Sequence, residues 1–488
     1  MKDIKKILAG AMALTITAGL SACASDGGAE GGDAAETTTA EVTTTAAITT
    51  EINTETLAAE EADALSNAMS QLQEVDLANK EIKWLAHYDI NPGTNGASKK
   101  VELELFERKY GGSIKWYQTT YENRYNDLST YVLGGEGIDF FPSEAGNLPK
   151  GIISGMFQPV DDYIDLDSEI WQNITEGMKL YNFGGKHYTF VTNLRANYYV
   201  YYNMETIEAN GLEDPWDLYK AGEWNWDTFK SMLQEFVDEE NDQWGLDNWF
   251  NELALMYSAG VPVVSSVDGQ IKCNLNDPTM EKAMNYQYDL YNAGLILPME
   301  QFNWSIQPAM MGEGRELFWI GGFWEAEGDP SVWTHGITPE NLGFVPTPSP
   351  AGSDPYQAAA VEGYVLCKGA TNPEGVARFA ECTIVAVNDP DSIAISERKI
   401  MDDAKWPQEL IDRTNEINAL AKKYPVVDLV SGCSADIESL TTASAESAVK
   451  AAFHGTDWAT TRETYADTVN MLVEEINTEL QAKVAENN

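Results

Sequence analysis

Ile82-Lys83-Trp84-Leu85-Ala86-His87, with Ser98 to Tyr110, Gly111-Gly112 and Ile114 to Gln118 behind it, is the stretch on which the fold turns. The apolar run Ile82 to His87 predicts a strand. Val101, Leu105 and Phe106 then fall on one face of a helix over Ser98 to Tyr110, the glycine pair stops it, and Ile114 to Gln118 predicts a second strand. The pattern repeats: Tyr121, Tyr125, Leu128 and Val132 lie on one face of a second helix, which ends at Gly134-Gly135 before the apolar strand Ile138 to Phe141. A βαβαβ unit of this kind is α/β, with a parallel sheet whose ligands sit beyond the carboxyl ends of the strands. His87, Tyr88 and Asp89 after the first strand, and Ser143 and Glu144 after the third, thereby become candidate binding residues.

A second region follows. Trp226 to Phe236 predicts a helix with Asn225 as its N-cap, Leu253 to Ala259 another, and Asp277-Pro278 starts a third that runs through Tyr291 and stops near Gly294. Tyr465, Val469, Leu472, Ile476 and Leu480 mark an amphipathic closing helix. The globular part, about 410 residues in a chain that is 43% hydrophobic and 10% aromatic, exceeds what one core supports and divides into two lobes.

Lys2, Lys5 and Lys6 precede an apolar run from Ile7 to Leu20, too short to span a bilayer, so residues 1–22 read as a signal peptide. Leu20-Ser21-Ala22-Cys23 resembles the lipobox of bacterial lipoproteins, which implies diacylglycerol on the Cys23 thiol; cleavage after Ala22 as an ordinary signal is the other reading. Residues 23–61, rich in Gly, Ala, Thr, Asp and Glu and without an aromatic residue, read as a lipidated disordered tether. Residues 62–79 read as a leader helix, from Leu65, Met69, Leu72 and Val75. The expected location is the extracytoplasmic face of a bacterial cell membrane, with a tether that suits a Gram-positive surface.

The formal charge of −46 makes polyanions poor partners, so no nucleic acid is expected and an uncharged ligand is. Cys273, Cys367, Cys382 and Cys433 are widely spaced and His87, His187, His335 and His454 dispersed, so neither metal nor cofactor is expected; buried free thiols are the default, with a disulfide left open. Asp161-Asp162-Tyr163-Ile164-Asp165-Leu166-Asp167 hints at calcium, but without the EF-hand glycine and glutamate it reads as a capping loop.

Several blocks share one order. They are Gly155-Met156-Phe157-Gln158-Pro159-Val160-Asp161-Asp162-Tyr163, Gly185-Lys186-His187-Tyr188 before Tyr201-Tyr202-Asn203, and Gly222-Glu223-Trp224-Asn225-Trp226-Asp227. Met311-Gly312-Glu313-Gly314 to Gly322-Phe323-Trp324 and Phe344-Val345-Pro346-Thr347-Pro348 complete the series. In this order, behind a lipobox, residues 80 to 482 resemble the extracellular solute-binding proteins of ABC importers, family 1, the maltose-binding-protein-like carbohydrate-binding lipoproteins. The resemblance implies a two-lobe periplasmic-binding-protein-like (type II) fold with a hinge and an interlobe cleft. It implies an N-lobe of 80–193 and 363–415 and a C-lobe of 194–362 and 416–488. The implied function is capture of a sugar, an oligosaccharide by expectation, by a monomer that delivers it to the importer's permease subunits.

Sugar recognition needs apolar faces for pyranose C–H groups and planar polar groups for hydroxyls. Asn193-Leu194-Arg195-Ala196-Asn197-Tyr198-Tyr199, Asp247-Asn248-Trp249-Phe250-Asn251 and Trp319-Ile320-Gly321-Gly322-Phe323-Trp324-Glu325 have that composition. By its place in the family pattern Trp324 is the first candidate for stacking. Asp89, Glu144, Arg195 and Trp249 match loops that carry contacts in relatives, as does Glu362-Gly363 at the hinge, and Asn197 and Asn248 flank them. The family's aromatic residue after the third strand is missing, since Pro142 and Ser143 stand there. Two other readings are a surface glycan-binding or sensing lipoprotein without transport, and a glycoside hydrolase using a pair such as Asp89 and Glu144. No nucleophile or metal motif accompanies those carboxylates, so the expectation is not an enzyme.

Overall fold

The computed structural model describes residues 54–92, 98–172, 174–247, 249–327 and 336–486. Cys23, the tether up to residue 53, His335 and the candidate Asn248 lie outside them. The helix expected over 62–79 runs instead over Thr54–Gln71. Ala58-Ala59-Glu60-Glu61, assigned above to the tether, are strong helix formers and continue the helix that Leu65 and Ala68 anchor in the core.

The first sheet opens with β1 (Glu81–Ala86), β2 (Ser113–Gln118) and β3 (Phe140–Pro142). β1 runs parallel between the others, with Trp84 opposite Trp116 on one side and Phe140 on the other. Helix Val101–Tyr110 links β1 to β2 and packs on helix Pro373–Asn388, Phe106 meeting Phe379 at 5.3 Å. The hairpin of β4 (Asn182–Phe183) and β5 (Lys186–His187) leads into β6 (Thr189–Ala196), which joins the first sheet.

One residue later the chain enters β7 (Tyr198–Asn203), the start of a second sheet. β8 (Trp244–Asp247), the hairpin of β9 (Val264–Val267) and β10 (Gln270–Cys273), β11 (Glu316–Gly322) and β12 (Leu342–Pro346) follow. β7 lies antiparallel between β11 and β12, β8 pairs parallel with β11, and the order is β12-β7-β11-β8. Every residue of β7 and β11 is buried, which is why these strands read as continuous apolar and aromatic runs without alternation. The chain then returns to the first sheet through β13 (Gln357–Leu366), antiparallel to β3 and β6, and β14 (Pro425–Val426), parallel to the start of β13.

Helices Trp226–Phe236, Asn251–Tyr257 and Pro278–Asn292 sit where the sequence predicts them. Asn225 Oδ1 accepts from the Asp227 and Thr228 amides, and Asp277 caps the third through Thr279 N. The closing helix, Trp458–Glu486, buries Val469, Ile476 and Leu480. Cys273, Cys367, Cys382 and Cys433 are free and buried. Among the described residues no helix is long and apolar enough to cross a membrane.

Candidate functional site

The sheets exchange chain at Ala196-Asn197-Tyr198, and the Asn197 backbone is tied to β13 on one side and to the residue that follows β11 on the other. Its amide donates to Ala358 O at 2.8 Å and its carbonyl accepts from Phe323 N at 3.3 Å.

On the first sheet's side, His87 and Tyr88 follow β1 and Ser143 and Glu144 follow β3, as the topology requires. Glu144 accepts from Arg124 Nε at 2.7 Å and from the Tyr125 hydroxyl at 2.8 Å. The His87 imidazole meets Tyr88 and Tyr121 edge to face, with centroids 5.0 and 5.3 Å apart. Burial holds His87 below the usual histidine range, aided by Arg124 and opposed by Glu144 and Glu122, so the ring is neutral at neutral pH. Burial raises the Tyr88 hydroxyl, and the charges of Glu144 and Glu362 add to it. Asp89 is exposed, and Oδ1 accepts from the Asn91 amide and side chain at 2.9 Å each, closing a turn.

At the junction, Arg195 Nη1 stands 3.7 Å from Glu362 Oε1, and Asn193 Nδ2 donates to Glu362 Oε2 at 2.8 Å. The Arg195 guanidinium lies on the Phe323 ring, 3.6 Å from its centroid. Gly363 sits at a bulge between β13 and β6 with φ of 148°, and its carbonyl accepts from Ser143 N at 2.9 Å. Any Cβ there would lie 2.0 Å from Phe190 O, so its role is backbone geometry.

On the second sheet's side, Trp324 follows β11 at the head of a short helix. Its indole is 44% exposed and stands edge-on to Phe250 at 5.8 Å, and Phe250 stacks on Tyr198 at 5.3 Å. Glu325 holds the turn beneath, accepting from Trp319 Nε1 at 2.8 Å and from Gly322 N at 2.9 Å. Trp249 is exposed on the loop after β8.

Tyr121 corrects one expectation. The helix expected to carry it inward starts at Arg124, and Tyr121 stands in the preceding turn, 59% exposed. Thr120 Oγ1 accepts from Asn123 N at 3.2 Å, so Thr119-Thr120 and Asn123 were the readable signs of a later helix start. Asp161 of the acidic loop is bound to the His187 amide and ring at 2.9 and 2.8 Å. Among the described residues no group of three or more His, Cys, Asp or Glu could hold a metal. A recess beside β9 and β14 is lined by residues such as Leu180, Pro262, Ser265 and Val427, and none of the candidate site residues is among its lining.

Taken in order, Glu362, Arg195, Phe323, Trp324 and Phe250 form a chain of contacts that runs from β13 and β6 of the first sheet to the loops beside β11 and β8 of the second. It combines apolar faces with one ion pair, Arg195 with Glu362, which suits a neutral ligand bearing hydroxyl groups.

Comparison with known proteins agrees with this architecture. An ABC substrate-binding protein of Listeria monocytogenes in complex with cycloalternan is 13% identical, with a TM-score of 0.56 over 80% of this chain and 98% of its own. The cyclic alpha-maltosyl-1,6-maltose binding protein of Arthrobacter globiformis is 12% identical, with a TM-score of 0.58 over 81% of this chain and 99% of its own. The extracellular solute-binding protein of Staphylococcus aureus in complex with maltose is 11% identical, with a TM-score of 0.56 over 82% and 99%. At such identities the likeness is one of fold, the two-lobe solute-binding architecture. The family model for the bacterial extracellular solute-binding proteins matches residues 103–390, more than half of the chain. This chain belongs to that family.

Proposed function

We propose that this chain captures an oligosaccharide outside the cell and delivers it to the permease subunits of an ABC importer, as a monomer tethered to the membrane by a lipid on Cys23. The observation that carries the reading is the run of contacts from Glu362 through Arg195 and Phe323 to Trp324, which joins a charge pair of the first sheet to aromatic faces of the second on either side of Asn197. A ligand touching both ends favours the closed form, because only that form makes all contacts at once. The ligands named for the three neighbours are cycloalternan, cyclic alpha-maltosyl-1,6-maltose and maltose, which supports a saccharide. Trp324 and Trp249 supply the stacking faces of the second lobe, and His87, Glu144, Arg195 and Glu362 face the hydroxyls. Asp89 and Gly363 shape the backbone. The lobes in this reading are 80–193 with 363–415 and 194–362 with 416–488; the chain changes sheet at Asn197, between β6 and β7, and again between β12 and β13.

A thermal-shift screen against neutral mono- and oligosaccharides tests it. A cognate sugar at 100 times its Kd adds about 2.7 kcal/mol of stability, and small-angle scattering of that complex shows a smaller radius of gyration than the free protein. A screen without a shift, or one in which the sugar is cleaved, overturns the reading.

A further inference from the structure

The helix Thr54–Gln71 packs on the first lobe, and its direction can be read from its partners. At its foot the Tyr110 hydroxyl donates to Gln73 O at 3.0 Å, Lys109 is paired with Glu74, and Gln71 Nε2 donates to Asp389 Oδ1 at 2.8 Å. Toward its head Glu61 stands 3.6 Å from Lys399 Nζ, which also donates to Lys99 O at 2.6 Å and to Glu104 Oε1 at 2.8 Å. Lys99 and Glu104 stand at the start of the helix Val101–Tyr110, and Lys109 and Tyr110 close it. The two helices therefore run side by side in the same direction.

That direction fixes where the chain enters the domain. Helix Val101–Tyr110 begins beyond the carboxyl end of β1 and descends beside it to the amino end, where Gly111 lies beside the Lys80 side chain and Ser113 N donates to Lys80 O at 2.8 Å. The first helix thus has its foot at the amino ends of the strands and its head at their carboxyl ends, the side on which His87, Tyr88, Ser143 and Glu144 stand. Residues 54–60 carry the head about 10 Å beyond Glu61. Without this helix the chain would enter at the other end of the sheet, about 27 Å away, the length of its 18 residues.

We propose that the helix Thr54–Gln71 is an orienting strut: it brings the tether into the first lobe at the rim that carries the binding loops, so that the anchored protein turns this rim toward the bilayer and its permease. The proposal rests on the Cys23 anchor of the reading above and adds the point on the domain at which that anchor holds. A Gly-, Ala- and Thr-rich stretch such as residues 24–53 has an average reach of about 30 Å, close to the length of the strut. The end of the lobe at which the tether enters therefore decides which end stays near the membrane.

Energy transfer on vesicles tests it. The full mature chain, lipidated on Cys23 and bound to phosphatidylcholine vesicles with a headgroup-linked acceptor, carries a donor dye at one of two exposed positions. Met401→Cys places it near the end of the helix Pro390–Ala404, whose Lys399 meets Glu61, and Glu136→Cys places it in the turn before β3, at the opposite end of the sheet. Cys273, Cys367, Cys382 and Cys433 are buried, so the dye goes to the new thiol. Transfer from position 401 exceeds that from position 136 at least about twofold, and about 60 Gly and Ser residues inserted between residues 53 and 54, which extend the average reach to about 50 Å, bring the ratio toward one. Equal transfer from both positions of the bound, lipidated protein, or a ratio that the longer tether leaves unchanged, overturns the strut alone. A chain that carries no lipid on Cys23 overturns the anchor reading and the strut with it.

Discussion

The Trp324 indole lies so close over Gly322 that a Cβ on the glycine would meet the ring at 2.3 Å. The glycine is therefore part of the platform. Gly322→Ala pushes the indole off its seat, weakening sugar binding as much as Trp324→Ala does, about 1 to 3 kcal/mol, and overpacking costs a further 1 to 3 kcal/mol of stability, roughly. Trp324→Ala alone leaves the melting temperature nearly unchanged, since the ring is half exposed. Calorimetric titration beside a melting curve separates the two variants; a stable Gly322→Ala protein with native affinity contradicts this arrangement.

Gly363 answers to a harder constraint. Its φ is 148°, and the Phe190 carbonyl oxygen stands only 2.0 Å from where a methyl group would have to sit, which leaves room for hydrogen alone. Gly363→Ala should cost about 3 kcal/mol or more by urea denaturation, and a loss below about 1 kcal/mol would show that the β6–β13 bulge relaxes freely.

Leu65 and Ala68 of the first helix are fully buried against the first lobe. Leu65→Ala should cost about 2 to 5 kcal/mol, whereas deletion of residues 24–53 should leave the melting temperature where it was. Equal effects from the two changes would mean that the helix is merely an end of the tether.

Stability should rise as the medium is acidified from pH 8 to 5. Burial pushes Asp428 up to about 6 and Glu252 to about 7, and raises Glu316, whose carboxyl oxygens have no hydrogen-bond partner. These folded values exceed the unfolded ones of 3.8 and 4.5, so the folded state binds more protons in between. The stabilising contribution is whole below about pH 4 and is lost as pH rises through about 6 to 7. Self-repulsion at a net charge of −46 acts in the same direction. Scanning calorimetry should show the higher melting temperature at pH 5, and Glu316→Gln should flatten the slope; a higher value at pH 8 refutes the assignment.

Cys23→Ser should move the protein from the membrane to the soluble fraction with sugar affinity intact, read by fractionation and titration. Lipid labelling that persists in the variant would exclude Cys23 as the anchor.

Much of the fold was legible because local signals and the tertiary structure agree. The glycine pair after Tyr110, Asn225 and Asp277 as caps, and the heptad-like spacing from Tyr465 to Leu480 each bound an element by short-range chemistry, and those elements stand where that chemistry puts them. The first helix and Tyr121 depart from their expected places for one reason in two forms. Apolar spacing reports which residues share a helical face, but only packing says where the helix begins.

By itself, then, the sequence determined the α/β class, the order of the elements and the loops that end on the junction, since these depend on contacts between residues near in the chain. The tertiary structure alone decided which side chains meet there. Arg124 with Glu144, Arg195 with Glu362 and Phe323, and Trp324 with Phe250 are partners 20 to 167 residues apart, and no periodicity encodes such a separation. The Arg195–Glu362 pair follows from the register of β6 on β13, and its approach to Phe323 from the one-residue passage through Asn197 between β6 and β7.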